Sequence, residues 1–248
     1  MKMIRTMASC LALSATLALA GTSEIFKQAN ADYSAGHYAE AAKSYENLLN
    51  SDGPRVSVLR NLGSTYFKMG KNGQAILSFE RALVLRPRDP DLRANLKLAQ
   101  DQAAIYPVTH DTFWRSILER YPARSWSLAV LATAILFPMA ALAWYFSKDK
   151  ARLWIGIFAA ADLLVVGFTI AGLVTRSGEN GRGIIVSNPA TIRISPFEKA
   201  DSRSTLAEGR EVRLGNESNG YFWVTSKDGS QDGWVVKGEV VPVNPDRK

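Results

Sequence analysis

The chain has 248 residues, with 30 lysines and arginines against 23 acidic residues, a formal charge of +7, one cysteine and two histidines. A single Cys10 permits no internal disulfide, and His37 and His110 are too few for a histidine-built metal site. No nucleophile motif, phosphate-binding loop or dinucleotide fingerprint is present, so no catalytic, metal-binding or cofactor-binding residue and no cofactor are expected.

Residues 1–20 have the pattern of a secretory signal peptide. Lys2 and Arg5 give a positive start, residues 7–20 are apolar, and Ala18-Leu19-Ala20 before Gly21 forms a small-residue cleavage site. Cys10 lies near the start of the apolar run, which argues against a lipoprotein signal. The run is also shorter than a full membrane span, which argues against a retained anchor. Cleavage after Ala20 puts the mature amino terminus outside the cytoplasm.

Residues 21–106 carry two segments offset by 34 residues. Ala29, Tyr33, Gly36, Ala41, Tyr45 and Leu48 mark the first, and Gly63, Phe67, Gly70, Ala75, Phe79 and Ala82 the second, closed by Pro87. Small residues let paired helices approach, aromatics fill the gaps between them, and Gly36 and Gly70 suit the turns. Asp89-Pro90 opens a further helix with Leu92, Leu96 and Ala99 on one face. Spacing and residue types resemble the tetratricopeptide repeat, an α-solenoid of antiparallel helix pairs. The resemblance implies five helices, the last a capping helix, and a groove for a protein partner lined by Phe26, Asn30, Tyr33, Arg60, Ser64, Phe67 and Lys68. The alternative is that these are solvated or packing positions. Phe26 and Asp91 stand where a chaperone-type carboxylate clamp has basic residues, so that clamp is not intact.

Residues 107–124 place Phe113, Trp114, Ile117, Leu118 and Tyr121 on one side of a helix, which predicts an interfacial connector or a helix docked on the solenoid's end. Two apolar runs follow, at 125–147 and 153–175, each long enough to cross a hydrocarbon core of about 30 Å. The loop 148–152 between them predicts a two-helix transmembrane hairpin, with aromatics at the ends of the runs. The leader fixes the orientation: the loop is cytoplasmic, and both soluble regions lie outside an inner (cytoplasmic) membrane. The chain's positive balance then reads as contact with anionic membrane lipid rather than with nucleic acid. Within the second span, Gly156, Ala160, Gly167 and Ala171 form a small-residue stripe expected to take the first helix. Asp162 and Thr169 share a roughly opposite face, expected to meet another subunit's membrane helix. The alternative is a protonated Asp162 bonded within its own chain, or an Asp162 reached by local water.

From residue 182 to 243 the pattern changes to short alternating runs: GIIV, TIRI, EVRL, YFWVTS, GWVV and EVVPV. This is the strand code of a small all-β barrel. Ala190-Thr191-Ile192-Arg193, the Leu206-x-x-Gly209 turn and Asp228-Gly229 with Gly233-Trp234-Val235 resemble the bacterial SH3-like (SH3b) domain. Ile192, Leu206, Val212, Val224 and Val235 are expected in its core, with Trp223 and Trp234 packed there as well. Tyr221 and Phe222 are the candidates for an exposed binding surface.

The order of modules is more specific than any one of them. Signal peptide, two repeats with the PDLRANL helix, a two-span hairpin and an SH3-like domain together resemble the BatE-like proteins of the Bat (aerotolerance) operon. That resemblance implies von Willebrand A-type membrane proteins and a MoxR-type ATPase as neighbours, and a scaffold role in an envelope stress-tolerance complex. Two other classes remain open: a sensor or anchor that holds peptidoglycan through the SH3-like domain, and an accessory subunit of an enzyme.

Overall fold

A computed structural model describes residues 22–105, 123–148, 150–177 and 181–244. The predicted leader and almost all of the predicted connector helix lie outside the described residues. Seven helices and seven strands are described. They divide into two compact units, one made of the residues on both sides of the hairpin and the other containing the hairpin.

The first unit begins with five helices: α1 (22–34), α2 (Tyr38–Asp52), α3 (Val56–Lys68), α4 (Asn72–Leu85) and α5 (Pro90–Gln102). The turns after α1 and α3 run through Gly36 and Gly70, both with φ near +80° (83° and 72°), where a side chain would be strained. Consecutive helices from α2 to α5 pack on one another. Ala29, Ala41, Tyr45 and Leu48 are buried, as are Gly63, Ala75, Phe79 and Ala82, their counterparts in the offset segment. A Cβ at Gly63 would lie 2.7 Å from the Phe79 ring, which is why that crossing takes glycine. At α5, Asp89 accepts hydrogen bonds from the backbone N–H groups of Asp91 and Leu92, with Pro90 in the first turn. Leu92, Leu96 and Ala99 are buried on its inner face.

The strands are β1 (Arg182–Ile185), β2 (Ala190–Arg193), β3 (Ser202–Leu206), β4 (Glu211–Ser218), β5 (Tyr221–Ser226), β6 (Asp232–Val236) and β7 (Val240–Pro242). They form one curled antiparallel sheet in the order β3-β2-β6-β5-β4-β1-β7. Ile192, Leu206, Val212, Val224 and Val235 all lie in its core. The edge strand β3 (SRSTL) has only Leu206 buried, so it carries no apolar alternation for a sequence reading to find. Gly233 lets β2 approach β6, since a Cβ there would sit 2.7 Å from the Arg193 carbonyl oxygen.

In the second unit, α6 (Ala123–Phe146) and α7 (Lys150–Ser177) pack against each other. Both are long and apolar enough to cross a membrane. The helix α7 starts earlier than expected and takes in Lys150, Ala151 and Arg152, which shortens the loop. The packed faces differ from expectation. Thr169 is 2 % exposed and Asp162 is half-buried, whereas Gly156, Ala160, Gly167 and Ala171 are open, and a Cβ on either glycine would meet nothing within 4 Å. The polar face of α7, not its small-residue stripe, is the covered one. Physically, a hydroxyl or carboxyl among apolar side chains is better placed in a helix seam than on an outer face. Thr133 and Thr169 also satisfy their hydroxyls on their own helices, donating to Val130 O (2.9 Å) and Val166 O (2.8 Å).

Candidate functional site

The seven residues expected to line a groove sit on α1 and α3, which Asn30 ties together. Its Oδ1 accepts from Asn61 Nδ2 at 2.8 Å and from the Tyr45 hydroxyl at 2.6 Å, joining α1, α2 and α3 through one atom. Burial of Tyr45 raises its phenol pKa above the ordinary value, so it stays a donor. Phe26 packs edge-on to Tyr45 (6.0 Å between centroids), Tyr33 edge-on to Tyr38 (5.5 Å), and Phe67 against the core around α4. Ser64 donates to the Arg60 carbonyl one turn back. Arg60 and Lys68 are exposed. The helical face therefore divides: the aromatics and Asn30 hold helices together, and the two basic side chains are open to solvent.

A cavity of about 590 Å³ opens between the first turns of α1 and α3. Phe26 and Val58 supply its apolar wall, Ser23 and Ser57 add hydroxyls, and the Asp52–Arg55 ion pair borders it. Of these residues the sequence reading picked out only Phe26.

On the β-sheet the aromatic assignment is corrected. Tyr221 and Phe222 are 9 % and 8 % exposed, so they do not form an open surface. Phe222 points into the sheet's core, and Lys237 Nζ lies 5.4 Å from its ring centroid. Trp223 and Trp234, expected inside, are instead directly opposed across β5 and β6 on the other face, half-buried and edge-to-face at 5.4 Å. The strand period explains the exchange: Phe222, Val224 and Ser226 alternate inward, so Trp223 must alternate outward.

The feature that sequence reasoning missed is the junction between the helices and the sheet. The core around α4 and α5 includes Ile184 and Val243, with Val186 and Val241 packed against it. Lys71 supplies no side-chain cap to α4; instead the backbone N–H of Gly73 donates to Glu208 Oε1 at 2.6 Å. Glu208 thus places a carboxylate at the positive end of α4 from a position 135 residues away in the chain. Gly73 is required there, because a Cβ would lie 2.6 Å from the Ile185 carbonyl oxygen. On the next turns, Arg81 donates to the carbonyls of Pro242 (3.0 Å) and Val243 (3.2 Å). Arg182 pairs with Glu80 at 3.2 Å and Glu211 at 3.8 Å. Burial pushes the Glu80 carboxyl above its ordinary range, and Arg182 pulls it back.

In the hairpin, Asp162 Oδ2 is buried and has no hydrogen-bond partner among the described residues. Thr169 is covered, so it offers no free surface to a second subunit. Among the described residues no cluster of His, Cys, Asp and Glu is arranged to hold a metal ion. Neither a protein-family model nor a curated protein matches this sequence.

Proposed function

We propose that this chain is a membrane-tethered, non-enzymatic scaffold whose soluble unit binds a protein partner on one side of the membrane. The observation that carries the reading is the junction. Residues 22–105 and 182–244 share a core and exchange hydrogen bonds, which supports a reading with both flanks of the hairpin in one compartment. An even number of crossings between them meets that condition, as a two-span hairpin does. With the leader cleaved after Ala20, that compartment is outside the cytoplasm.

The helices take the role of a tetratricopeptide-type array, and the curled sheet that of an SH3-like barrel. The 34-residue offset of buried positions and of the two positive-φ glycines supports the first; the strands at each predicted run support the second. The partner class follows the resemblance to BatE-like proteins: a von Willebrand A-type membrane protein in an envelope complex for stress tolerance. Arg60 and Lys68 are the open side chains with which such a partner would be met. Wall binding through the sheet loses its expected Tyr221–Phe222 surface and is the weaker reading.

The test is site-specific photocrosslinking from Arg60 and Lys68 in native membranes, followed by mass spectrometry. One dominant membrane protein of the A-type class is expected. Peptidoglycan fragments as the sole adduct would move the assignment to a wall anchor. Alkaline phosphatase fused after Val243 should be active; a silent fusion would overturn the compartment.

A further inference from the structure

We infer that the junction makes completion of the soluble unit conditional on correct two-span insertion of the hairpin, so that the fold itself checks membrane topology. The inference rests on reading α6 and α7 as membrane spans. The helical half is unfinished on its own in two separate ways. The α4 helix lacks a local side-chain cap at its N-terminus and takes Glu208 instead. Its outward apolar face, with Ile76, and the neighbouring Leu92 and Leu96 of α5 lie in a core that Ile184 and Val243 help to build. Both the cap and the cover come from beyond residue 181, after α7.

While the chain has crossed the membrane once, these groups are on the opposite side from α4. The uncapped N–H groups and the apolar seam then face water, and burial is the main stabilising term for such a seam. When α7 returns the chain, Glu208 reaches Gly73 and the carbonyls of Pro242 and Val243 reach Arg81. A chain with an odd number of crossings leaves the helical half open to proteases, because cleavage tracks the population of the opened form.

The experiment uses the full chain in intact membranes, with protease added to the face that carries the helical half and an enzymatic reporter after Val243 to locate the C-terminal half. In one variant residues 153–177 are deleted. In another, residues 153–174 are replaced by alternating Leu and Ala of equal length, so that the chain still returns. The deletion should speed cleavage within α4 and α5 by at least about tenfold, and the replacement should restore wild-type resistance. Equal resistance in the deletion variant, with the reporter on the far side, would overturn the inference. So would continued sensitivity in the replacement variant with the reporter on the near side. A reporter that does not change sides on deletion would overturn the membrane reading, and the inference with it.

Discussion

The helices α2 and α4 occupy corresponding places 34 residues apart, yet they live in different surroundings. The α2 helix buries Ala41, Ala42, Tyr45 and Leu48 and presents Ala39, Lys43 and Glu46 to solvent. At the matching places α4 has Gly73, Leu77 and Glu80, and it is buried at Gly73 and Leu77 as well as at Ala75, Ile76, Ser78, Phe79 and Ala82. One helix is amphipathic because one side faces water; the other is covered on nearly all sides because the sheet packs where water would be. Positions 34 residues apart are buried alike on the inner faces of the two helices, while their neighbours decide the outer ones.

The strongest way to break this comparison is to put a side chain at Gly73. Gly73→Val places carbon against the Ile185 carbonyl, 2.6 Å from the Cβ position, and backbone cannot swing aside as a side chain does. A loss of about 3 kcal/mol is expected in denaturant unfolding of the detergent-solubilised protein. The matching change Ala39→Val on exposed α2 should stay within about 0.5 kcal/mol. Comparable losses at the two sites would mean that the junction is not what constrains α4.

A change at the crossing of α3 and α4 should be somewhat milder. Gly63→Leu drives into the Phe79 ring, whose nearest atom is 2.7 Å from the Cβ position, at a cost of about 2 kcal/mol. An unchanged melting temperature would refute the close crossing of α3 and α4. Removing the remote cap comes next: Glu208→Ala should cost about 1 kcal/mol, and Glu208→Gln less, since the amide oxygen still accepts from Gly73. If both variants unfolded like wild type, α4 would not depend on Glu208.

The smallest effect is a pH dependence. Burial raises the Glu80 carboxyl in the folded state, with Glu211 acting in the same direction and Arg182 against it. The folded protein therefore holds a proton more readily than the unfolded chain, and stability from this group falls as pH rises. Its contribution is complete below the ordinary glutamate pKa and is lost as pH climbs through the raised value. Glu80→Gln should flatten that part of the stability–pH curve relative to wild type. A steeper curve in the variant would reverse the assigned sign.

Local pattern was enough for most elements. The uninterrupted apolar runs required two long helices, because no charge interrupts them except Asp162. The offset of alanines, aromatics and glycines required helices that cross closely at Gly63 and turn at Gly36 and Gly70. Alternation located six of the seven strands and the core residues Ile192, Val212, Val224 and Val235, while Leu206 was marked by the Leu-x-x-Gly turn of the SH3-like resemblance. Strand β3 escaped because its side chains are polar on both faces. The sign of a face was harder to read than its existence: Trp223 and Phe222 are adjacent, and one residue of register exchanges inside for outside. The same holds on α7, where Asp162 and the small-residue stripe are both visible in the sequence but the choice of packed face belongs to the neighbouring helix. The junction was not legible in the sequence: α4 is buried on several sides and has Lys71 at its cap position without a side-chain cap, which only its packing reveals. Its partners lie more than a hundred residues downstream, past the hairpin. Sequence by itself determined the described helices, the apolar runs and every strand but β3, since those depend on neighbours within a few residues. Only the tertiary structure decided that Glu208 caps α4, that Arg81 holds the last strand and that both flanks of the hairpin are one unit, because each depends on distant segments meeting in space.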